Sequence, residues 1–151
     1  MEGLVNTIIA VIRLTGLKIS DDQIEILDRG CPHKQPTLPT GKMGIYIFNY
    51  NGRFLKIGKA GTKSNARFSS QPYNPNSSQS NLAKSILNDD EMEQLELDEK
   101  NIKNWILGNT RRIDILLDGK LSIFVLTLVE AFLHCKYQPE YEGFKSQRRY
   151  I

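Results

Sequence analysis

The sequence predicts an α/β (α+β) domain in which a small sheet of about three strands, two of them paired in a β-hairpin, is flanked by helices. Residues 44–50 and 53–58 are rich in Ile, Tyr and Phe and flank an Asn51-Gly52 pair, which is the strongest short-range signal for a hairpin. Residues 111–118 read as a third strand, and apolar segments of helical length precede and follow these strands. At 151 residues the chain is long enough for one compact domain with its own core.

The first forty residues are predicted to form a helical segment and a linker ahead of the main domain, which spans residues 41–151. Residues 4–15 are mostly apolar and predict a helix that ends near Gly16. Ser20 and Gln23 fit a capping box, so a second short helix is expected over residues 21–28. A glycine and three prolines in the stretch that ends at residue 40 then indicate a linker.

The register of the hairpin decides which side chains share a face. A two-residue loop would place Lys56 opposite Ile47 and mix the lysine among the isoleucines. A three-residue loop over residues 50–52 instead pairs Ile45 with Ile57, Ile47 with Leu55 and Tyr46 with Lys56. This second register is predicted, because a shift of one residue moves every side chain to the other face and only this register leaves one face aliphatic. The opposite face is then expected to carry Tyr46, Phe48, Phe54 and Lys56.

Three further helices are predicted after the hairpin. Asn81 is placed to cap a helix over residues 82–87, and Ser122 to cap a long, buried helix that reaches Tyr137. Between them, one helix ending at Gly108 is expected to carry an apolar stripe, which consists of Met92, Leu95, Ile102, Trp105 and Ile106. The tail over residues 140–151 is expected to form a packed strand or a further contact with a ligand.

Charge is strongly segregated along the chain. Residues 29–88 contain nine Lys or Arg and no Asp or Glu, whereas residues 89–99 contain seven acids and no base. This pattern predicts a surface that binds a polyanion, the alternative being a solvated basic face without a partner. The most apolar run, residues 121–133, is too short to span a bilayer and contains Glu130, so no membrane partner is expected. Two cysteines and no signal peptide predict reduced thiols and a cytoplasmic location.

Four separated features of the chain resemble the GIY-YIG nuclease superfamily. They are the Gly44-Ile45-Tyr46 tripeptide, the Lys56-Ile57-Gly58 tripeptide, Arg67 on the next predicted helix, and Glu130 on the long apolar helix. The lysine at the first position of the second tripeptide is most similar to the type II restriction endonucleases of that superfamily. The resemblance spans about residues 41–135. It implies a GIY-YIG-like sheet and a metal-dependent endonuclease that hydrolyses phosphodiester bonds of double-stranded DNA, in restriction or a related defence role.

The resemblance also implies roles for the four residues. Tyr46 would take a proton from the attacking water, and Lys56 would favour the phenolate or accept the proton itself. Arg67 would hold the scissile phosphate. Glu130 would bind one Mg²⁺ (or Mn²⁺), an ion for which one protein carboxylate suffices. Two glycines, Gly44 and Gly58, would leave room for close approach of the backbone.

Residues 58–64 form a loop with two glycines and two lysines that enters the helix bearing Arg67. Lys59, Lys63 and Ser64 are predicted to contact DNA phosphate, although the glycines are equally compatible with a simple tight turn. Gln71 stands about where the superfamily often has a tyrosine or histidine, and Tyr73 is expected to substitute for it; both are predicted DNA contacts.

Several alternatives remain open at the level of sequence. Glu130 could instead be a buried structural partner of Lys56 or Arg67, or could share a metal with His134. A zinc site from two Cys-His pairs is conceivable but poorly spaced; its ligands would be Cys31, His33, His134 and Cys135. Asp114 and Asp118 are expected to face solvent.

The function is also open between classes. A DNA-binding protein that retains the nuclease fold without cleaving is the main alternative, and a protein with no nucleic-acid partner is another. A homodimer is possible, since a palindromic target suits two-fold symmetry. Residues 1–40 could pack on the core, clamp DNA or contribute to such a dimer.

Overall fold

The computed structural model describes residues 1–142 and contains a four-stranded antiparallel sheet. The strands are β1 (Ile24–Gly30), β2 (Lys42–Tyr50), β3 (Arg53–Ala60) and β4 (Arg111–Asp118), in the order β1-β4-β2-β3. The predicted α+β class is confirmed, with four strands rather than about three. The order makes β3 an edge strand of the sheet, which determines where the candidate site lies.

The additional strand replaces a predicted helix. Ser20 and Gln23 do form the capping box, but the turn they cap is a single 3-10 turn over Asp21–Gln23. The chain then extends as β1 and pairs with β4. Ile24 and Ile26 alternate along β1 and pack into the core, so burial on a pleated surface overrides the local capping signal.

The hairpin uses neither of the two registers weighed from the sequence. Asn51 and Gly52 both have positive φ and form a two-residue turn between Tyr50 and Arg53. A bulge at Leu55 then shifts the pairing by one residue, so that Phe48 lies opposite Lys56, Ile47 opposite Ile57 and Tyr46 opposite Gly58. The predicted three-residue loop is therefore wrong, as is the predicted Tyr46–Lys56 pair.

The bulge nevertheless produces most of the expected faces. Tyr46, Phe48 and Lys56 lie on the side away from the isoleucine-rich core, as predicted. Leu55 and Phe54 exchange their predicted places. Leu55 is buried on the Tyr46 side, whereas Phe54 packs on the isoleucine side and stacks on Tyr137 with ring centroids 4.3 Å apart.

Helices cover the sheet on both faces. The first core lies between the isoleucine-rich face and two helices, α1 (Leu4–Arg13) and α5 (Ile123–Tyr137). The second core lies between the Tyr46 face and α2 (Asn65–Ser69), α3 (Leu82–Leu87) and α4 (Ile102–Asn109), with short 3-10 turns between them. Residues 1–40 thus add a helix and a strand to the same core, one of the options left open by the sequence.

Capping explains the ends of two predicted helices. The Asn81 side chain accepts from the Lys84 N–H at 2.8 Å and begins α3, and the Ser122 side chain accepts from the Phe124 N–H at 3.1 Å and begins α5. The first turn of α5 is not buried as predicted, because Ile123 and Phe124 are 52% and 78% exposed.

The single helix predicted over the apolar stripe is wrong. A 3-10 helix over Asp90–Leu95 ends at Glu96, which has a φ of 54°, and α4 starts only at Ile102. The predicted tail lies outside the described residues from position 143 onward. Within the described part, no helix is long and apolar enough to cross a membrane.

Candidate active site

A cleft of about 430 Å³ opens beside the edge strand β3. Five residues predicted for catalysis or DNA contact line it: Tyr46, Lys56, Arg67, Gln71 and Glu130. They come from β2, β3, α2, the 3-10 turn after α2, and α5. Side chains that are distant along the sequence are thus brought to one concave surface.

Glu130 reaches this cleft around the edge of the sheet. Helix α5 packs on the isoleucine-rich face, opposite to Tyr46. Because no strand within residues 1–142 pairs with the outer side of β3, side chains of α5 can line the same cleft as side chains from the other face. His134, one turn after Glu130, donates from Nε2 to the Ile57 carbonyl oxygen at 3.0 Å and ties α5 to β3. Because Nε2 of His134 makes this bond, the same nitrogen is not free to bind a metal shared with Glu130.

The phenol of Tyr46 occupies space that glycine creates. Tyr46 is 6% exposed and lies directly across from Gly58. A Cβ on Gly58 would lie 2.2 Å from the Tyr46 hydroxyl oxygen, closer than any side chain tolerates. At Gly44 a Cβ would lie 2.5 Å from the ring of Phe68. Both glycines therefore make room, but in this structure the room is taken by aromatic side chains of the protein.

Burial raises the pKa of the Tyr46 phenol, and the positive charges of Arg67 and Arg112 partly oppose this increase. A hydrogen bond from Arg67 also lowers the Tyr46 pKa, whereas the Glu130 carboxylate raises it. The net shift is upward from 10.0, so the phenol carries its proton near neutral pH. Of the cations in and behind the cleft, Arg67 and Arg112 lower the pKa of this phenol, a role that the predicted register had given to Lys56.

Lys56 is nearly buried, with 9% exposure, and its ammonium lies 2.6 Å from a carboxylate oxygen of Glu142. The segment before Glu142 is fastened along the outer edge of β3. The Glu140 N–H donates to the Phe54 carbonyl at 2.9 Å, and the Tyr141 N–H donates to the Leu55 carbonyl at 3.0 Å. A second carboxylate, which the sequence did not single out, therefore lines the cleft beside Lys56.

Glu130 is paired with Lys59, whose Nζ lies 2.9 Å from Oε1 of Glu130. The side chains are 30% and 16% exposed, respectively. Lys59 was predicted to contact DNA, and the structure places it on the carboxylate predicted to bind metal. Glu130 thus has a structural ion-pair partner, as the sequence allowed, but that partner is Lys59 and not Lys56 or Arg67.

The donor set suits a hard divalent cation held loosely. A single, mostly buried carboxylate beside an open cleft can supply one protein oxygen, with water and substrate phosphate completing the ligands, as is common for Mg²⁺. No group of three or more His, Cys, Asp or Glu side chains within residues 1–142 is arranged to hold a metal ion. The zinc site considered from the sequence is accordingly not formed, and Cys31 and Cys135 are exposed, unbridged thiols.

The remaining predicted DNA contacts divide into exposed and buried residues. Lys63 is exposed and Ser64 is partly exposed at the start of α2, where Ser64 is the N-cap residue without a side-chain capping bond. Tyr73 is 1% exposed and lies outside the cleft. Its hydroxyl donates to Nε2 of His33 at 2.8 Å and accepts from Nη1 of Arg112 at 3.0 Å. Tyr73 is therefore a core residue here, and its predicted role at the DNA surface is wrong for this conformation.

The sequence reading missed the polar network behind Tyr46. Arg112 and Asp114 are both fully buried and form an ion pair, with Nε of Arg112 2.8 Å from Oδ1 of Asp114. Asp114 also accepts from Nε of Arg29 at 2.9 Å, so the prediction that it faces solvent is wrong. The available signal was an Arg and an Asp two residues apart in a strand whose other interior residues are Ile and Leu, since that spacing places them on the same face.

No family model, curated protein or solved structure matches this chain. The arrangement of side chains in the cleft is therefore the basis for any functional inference.

Proposed function

We propose that this chain is a metal-dependent endonuclease of the GIY-YIG type that hydrolyses phosphodiester bonds in double-stranded DNA. One observation carries the proposal: a phenol, an ammonium, a guanidinium and a carboxylate from four different elements line a single cleft. Charge supports a DNA substrate, because the end of β3 and the loop and helix that follow it carry Lys59, Lys63 and Arg67 and no acid.

Arg67 is the proposed phosphate-binding residue. It lines the cleft from α2, and its guanidinium lies close enough to Tyr46 to lower the pKa of that phenol. A guanidinium can donate two parallel hydrogen bonds to a phosphate and stabilise charge that develops on its oxygens.

Tyr46 and Lys56 are the proposed proton-handling residues. In the resting protein the phenol is protonated, so its oxygen can orient an attacking water through a hydrogen bond, and it must lose its own proton before it takes one from that water. Neutralisation of Glu130 would remove one of the influences that raise the Tyr46 pKa. Lys56 remains a second candidate for proton acceptor, provided that its ammonium first separates from Glu142 and loses a proton to become the neutral amine.

Glu130 is the proposed metal ligand. When bound, Mg²⁺ or Mn²⁺ would polarise the phosphate and stabilise the leaving oxygen. Lys59 would then have to leave Glu130, which would free its ammonium for a DNA phosphate. The protein would thereby exchange one cation for another at the same carboxylate.

A restriction or defence role is proposed from the lysine in the second tripeptide. A cytoplasmic location is proposed from the two unbridged cysteines. Two copies of the cleft in a homodimer would suit a palindromic site. The second candidate function is DNA binding without cleavage. It is favoured by the Lys59–Glu130 ion pair, which already satisfies the carboxylate, and by the upward shift of the Tyr46 pKa.

A plasmid assay distinguishes the two functions. Purified protein is incubated with supercoiled plasmid in Mg²⁺, Mn²⁺ or EDTA, alongside a Glu130→Gln variant and a Glu25→Gln control. Glu25 is exposed and lies on β1, at the opposite edge of the sheet from the cleft. Metal-dependent cleavage by the parent and the control, but not by Glu130→Gln, supports the enzyme.

DNA binding is measured in parallel at several salt concentrations. Salt-dependent binding without cleavage by any of the proteins supports the non-cleaving alternative. Absence of salt-dependent binding overturns both functions. Undiminished cleavage by Glu130→Gln would contradict the proposed site even if the protein is a nuclease.

A further inference from the structure

Arg112 is the largest fully buried side chain in the described part of the protein. Each of its three guanidinium nitrogens donates a hydrogen bond. Nε donates to Asp114 at 2.8 Å, Nη1 to the Tyr73 hydroxyl at 3.0 Å, and Nη2 to the Phe68 carbonyl at 2.8 Å. A buried charge is tolerated when it is paired and hydrogen-bonded in this way.

Four aromatic rings enclose the same guanidinium. The distances from Cζ of Arg112 to the ring centroids are 4.7 Å for Phe68, 5.2 Å for Phe48, 5.4 Å for Tyr46 and 5.9 Å for Tyr73. These are cation–π distances. Arg112 therefore contacts two parts of the proposed active site. One is the ring of Tyr46, and the other is the carbonyl of Phe68 in α2, one residue after Arg67.

Stability alone does not explain a charge at this position. Well-packed apolar residues of similar volume in place of a buried ion pair are often neutral or stabilising. An apolar residue could fill the space among the rings, but it could neither donate to the Phe68 carbonyl nor place a positive charge behind the Tyr46 ring.

We infer that Arg112 is a positioning residue that holds the Tyr46 phenol and the α2 backbone bearing Arg67 in a fixed relation to one another. Its contact with the Phe68 carbonyl fixes α2, and its contact with the Tyr46 ring fixes the phenol. The part of this inference that concerns cleavage depends on the proposed nuclease function, whereas the part that concerns Tyr46 does not.

Charged groups approach Tyr46 from several elements. Arg112 and Asp114 come from β4, where Asp114 lies opposite Tyr46 in the register with β2. Arg67 comes from α2 and Glu130 from α5, and Lys56 of β3 lines the same cleft. Arg112 and Arg67 both hold the pKa of Tyr46 below the value that burial alone would produce. Removing Arg112 is therefore expected to raise the pKa of this phenol as well as to loosen its position.

The test uses 3-fluorotyrosine at position 46, whose ¹⁹F resonance reports the titration of that phenol alone. The variant is Arg112→Gln combined with Asp114→Asn, so that neither partner of the ion pair is left as an unpaired buried charge. The matched control is Arg111→Gln combined with Asp28→Asn, which removes the neighbouring, exposed ion pair of β4 and β1.

In the Arg112/Asp114 double variant the fluorophenol is expected to titrate at higher pH than in the parent. The rate constant of plasmid cleavage is expected to fall by about tenfold or more, while the Kd for DNA changes by less than about threefold, because a positioning residue affects the chemical step. The control pair is expected to change none of these quantities. A folded double variant with the parental titration and the parental rate overturns the inference.

Two further outcomes are also decisive. If circular dichroism shows that the double variant is unfolded, Arg112→Lys takes its place; it keeps the cation but cannot make all three donations. A parental cleavage rate in that variant overturns the inference, and a reduced rate supports it. If the parent itself does not cleave DNA, the proposed function fails. The fluorine spectrum then decides alone whether Arg112 acts on Tyr46. A raised titration in the double variant, or a displaced fluorophenol resonance in Arg112→Lys, supports the inference, and parental values overturn it.

Discussion

The ammonium of Lys59 lies 2.9 Å from the carboxylate of Glu130 and links the edge strand β3 to helix α5. The protein thus supplies its own cation to the carboxylate that is proposed to bind a metal. Both side chains are mostly buried, at 30% and 16% exposure, so the pair is only partly screened by solvent. Metal binding and this ion pair are expected to exclude each other.

Replacing Lys59 with Gln is expected to strengthen metal binding, because a competing cation is removed. The expected gain in Mn²⁺ affinity is about two- to fivefold, the range that corresponds to a partly exposed ion pair. Calorimetric titration or electron paramagnetic resonance with Mn²⁺ measures it. Lys63→Gln removes an exposed lysine nearby in the sequence and is expected to change the Mn²⁺ affinity little. Equal Mn²⁺ affinities for the parent and Lys59→Gln would show that Glu130 is not the ligand.

A Gly58→Ala substitution is expected to displace the Tyr46 phenol. The new Cβ would lie 2.2 Å from the hydroxyl oxygen and 2.3 Å from Cζ of Tyr46, and the ring is enclosed by its neighbours. We expect the free energy of unfolding to fall by about 1–3 kcal/mol, as for overpacking of a core, and cleavage to be lost.

Gly108 provides the matched control for this substitution. It lies in α4, and nothing lies within 4 Å of a Cβ built there. Gly108→Ala is expected to stabilise the helix by up to about 1 kcal/mol, because alanine has the higher helix propensity. Urea denaturation of both variants measures the difference. Parental stability in Gly58→Ala would contradict the described packing of Tyr46.

His33 is expected to make stability depend on pH in the weakly acidic range. Burial lowers the His33 pKa, as does the charge of Arg112, although a hydrogen bond with the Thr110 carbonyl partly opposes the decrease. Nδ1 donates to that carbonyl and Nε2 accepts from the Tyr73 hydroxyl, so the neutral ring satisfies both partners.

The sign of the effect follows from proton linkage. The unfolded chain binds a proton near the ordinary histidine pKa of 6.5, whereas the folded protein binds it only at lower pH. The stabilisation is therefore fully present above about pH 6.5 and is lost as the pH falls through the folded pKa. Urea denaturation at pH 5 and pH 7.5 is expected to show a smaller loss of stability in His33→Gln than in the parent. An equal loss in both proteins would assign the acid sensitivity to other groups.

Lys63 is expected to contact a DNA phosphate from its exposed position before α2. Lys63→Gln is expected to weaken DNA binding at every sequence and to reduce the slope of log Kobs against log salt by about one, as for the loss of a single phosphate contact. Fluorescence anisotropy at several salt concentrations measures this slope. Lys103, also exposed but on α4, is the control, and Lys103→Gln is expected to leave the slope unchanged. Equal slopes for the two variants would place the DNA elsewhere.

Elements with strong local signals could be predicted from the sequence. Residues 82–87 and 111–118 form the helix and strand expected of them, and the Asn81 and Ser122 caps begin their helices as predicted. Caps and turns depend on residues within a few positions of one another, so a single sequence specifies them well. Residues 24–28 were misread as part of a helix, because their strand conformation depends on pairing with β4, more than eighty positions away.

The sequence by itself determined which chemical groups this protein has and which segments carry them: a hairpin with Tyr46 and Lys56, a short helix with Arg67 and a long apolar helix with Glu130. The tertiary structure alone decided that these groups meet. The bulge at Leu55 puts Lys56 on the Tyr46 side, and the edge position of β3 lets Glu130 line the cleft from the opposite face. Both features follow from the packing of the whole sheet between two cores, and the same packing buries Arg112 behind Tyr46 and places Lys59 on Glu130.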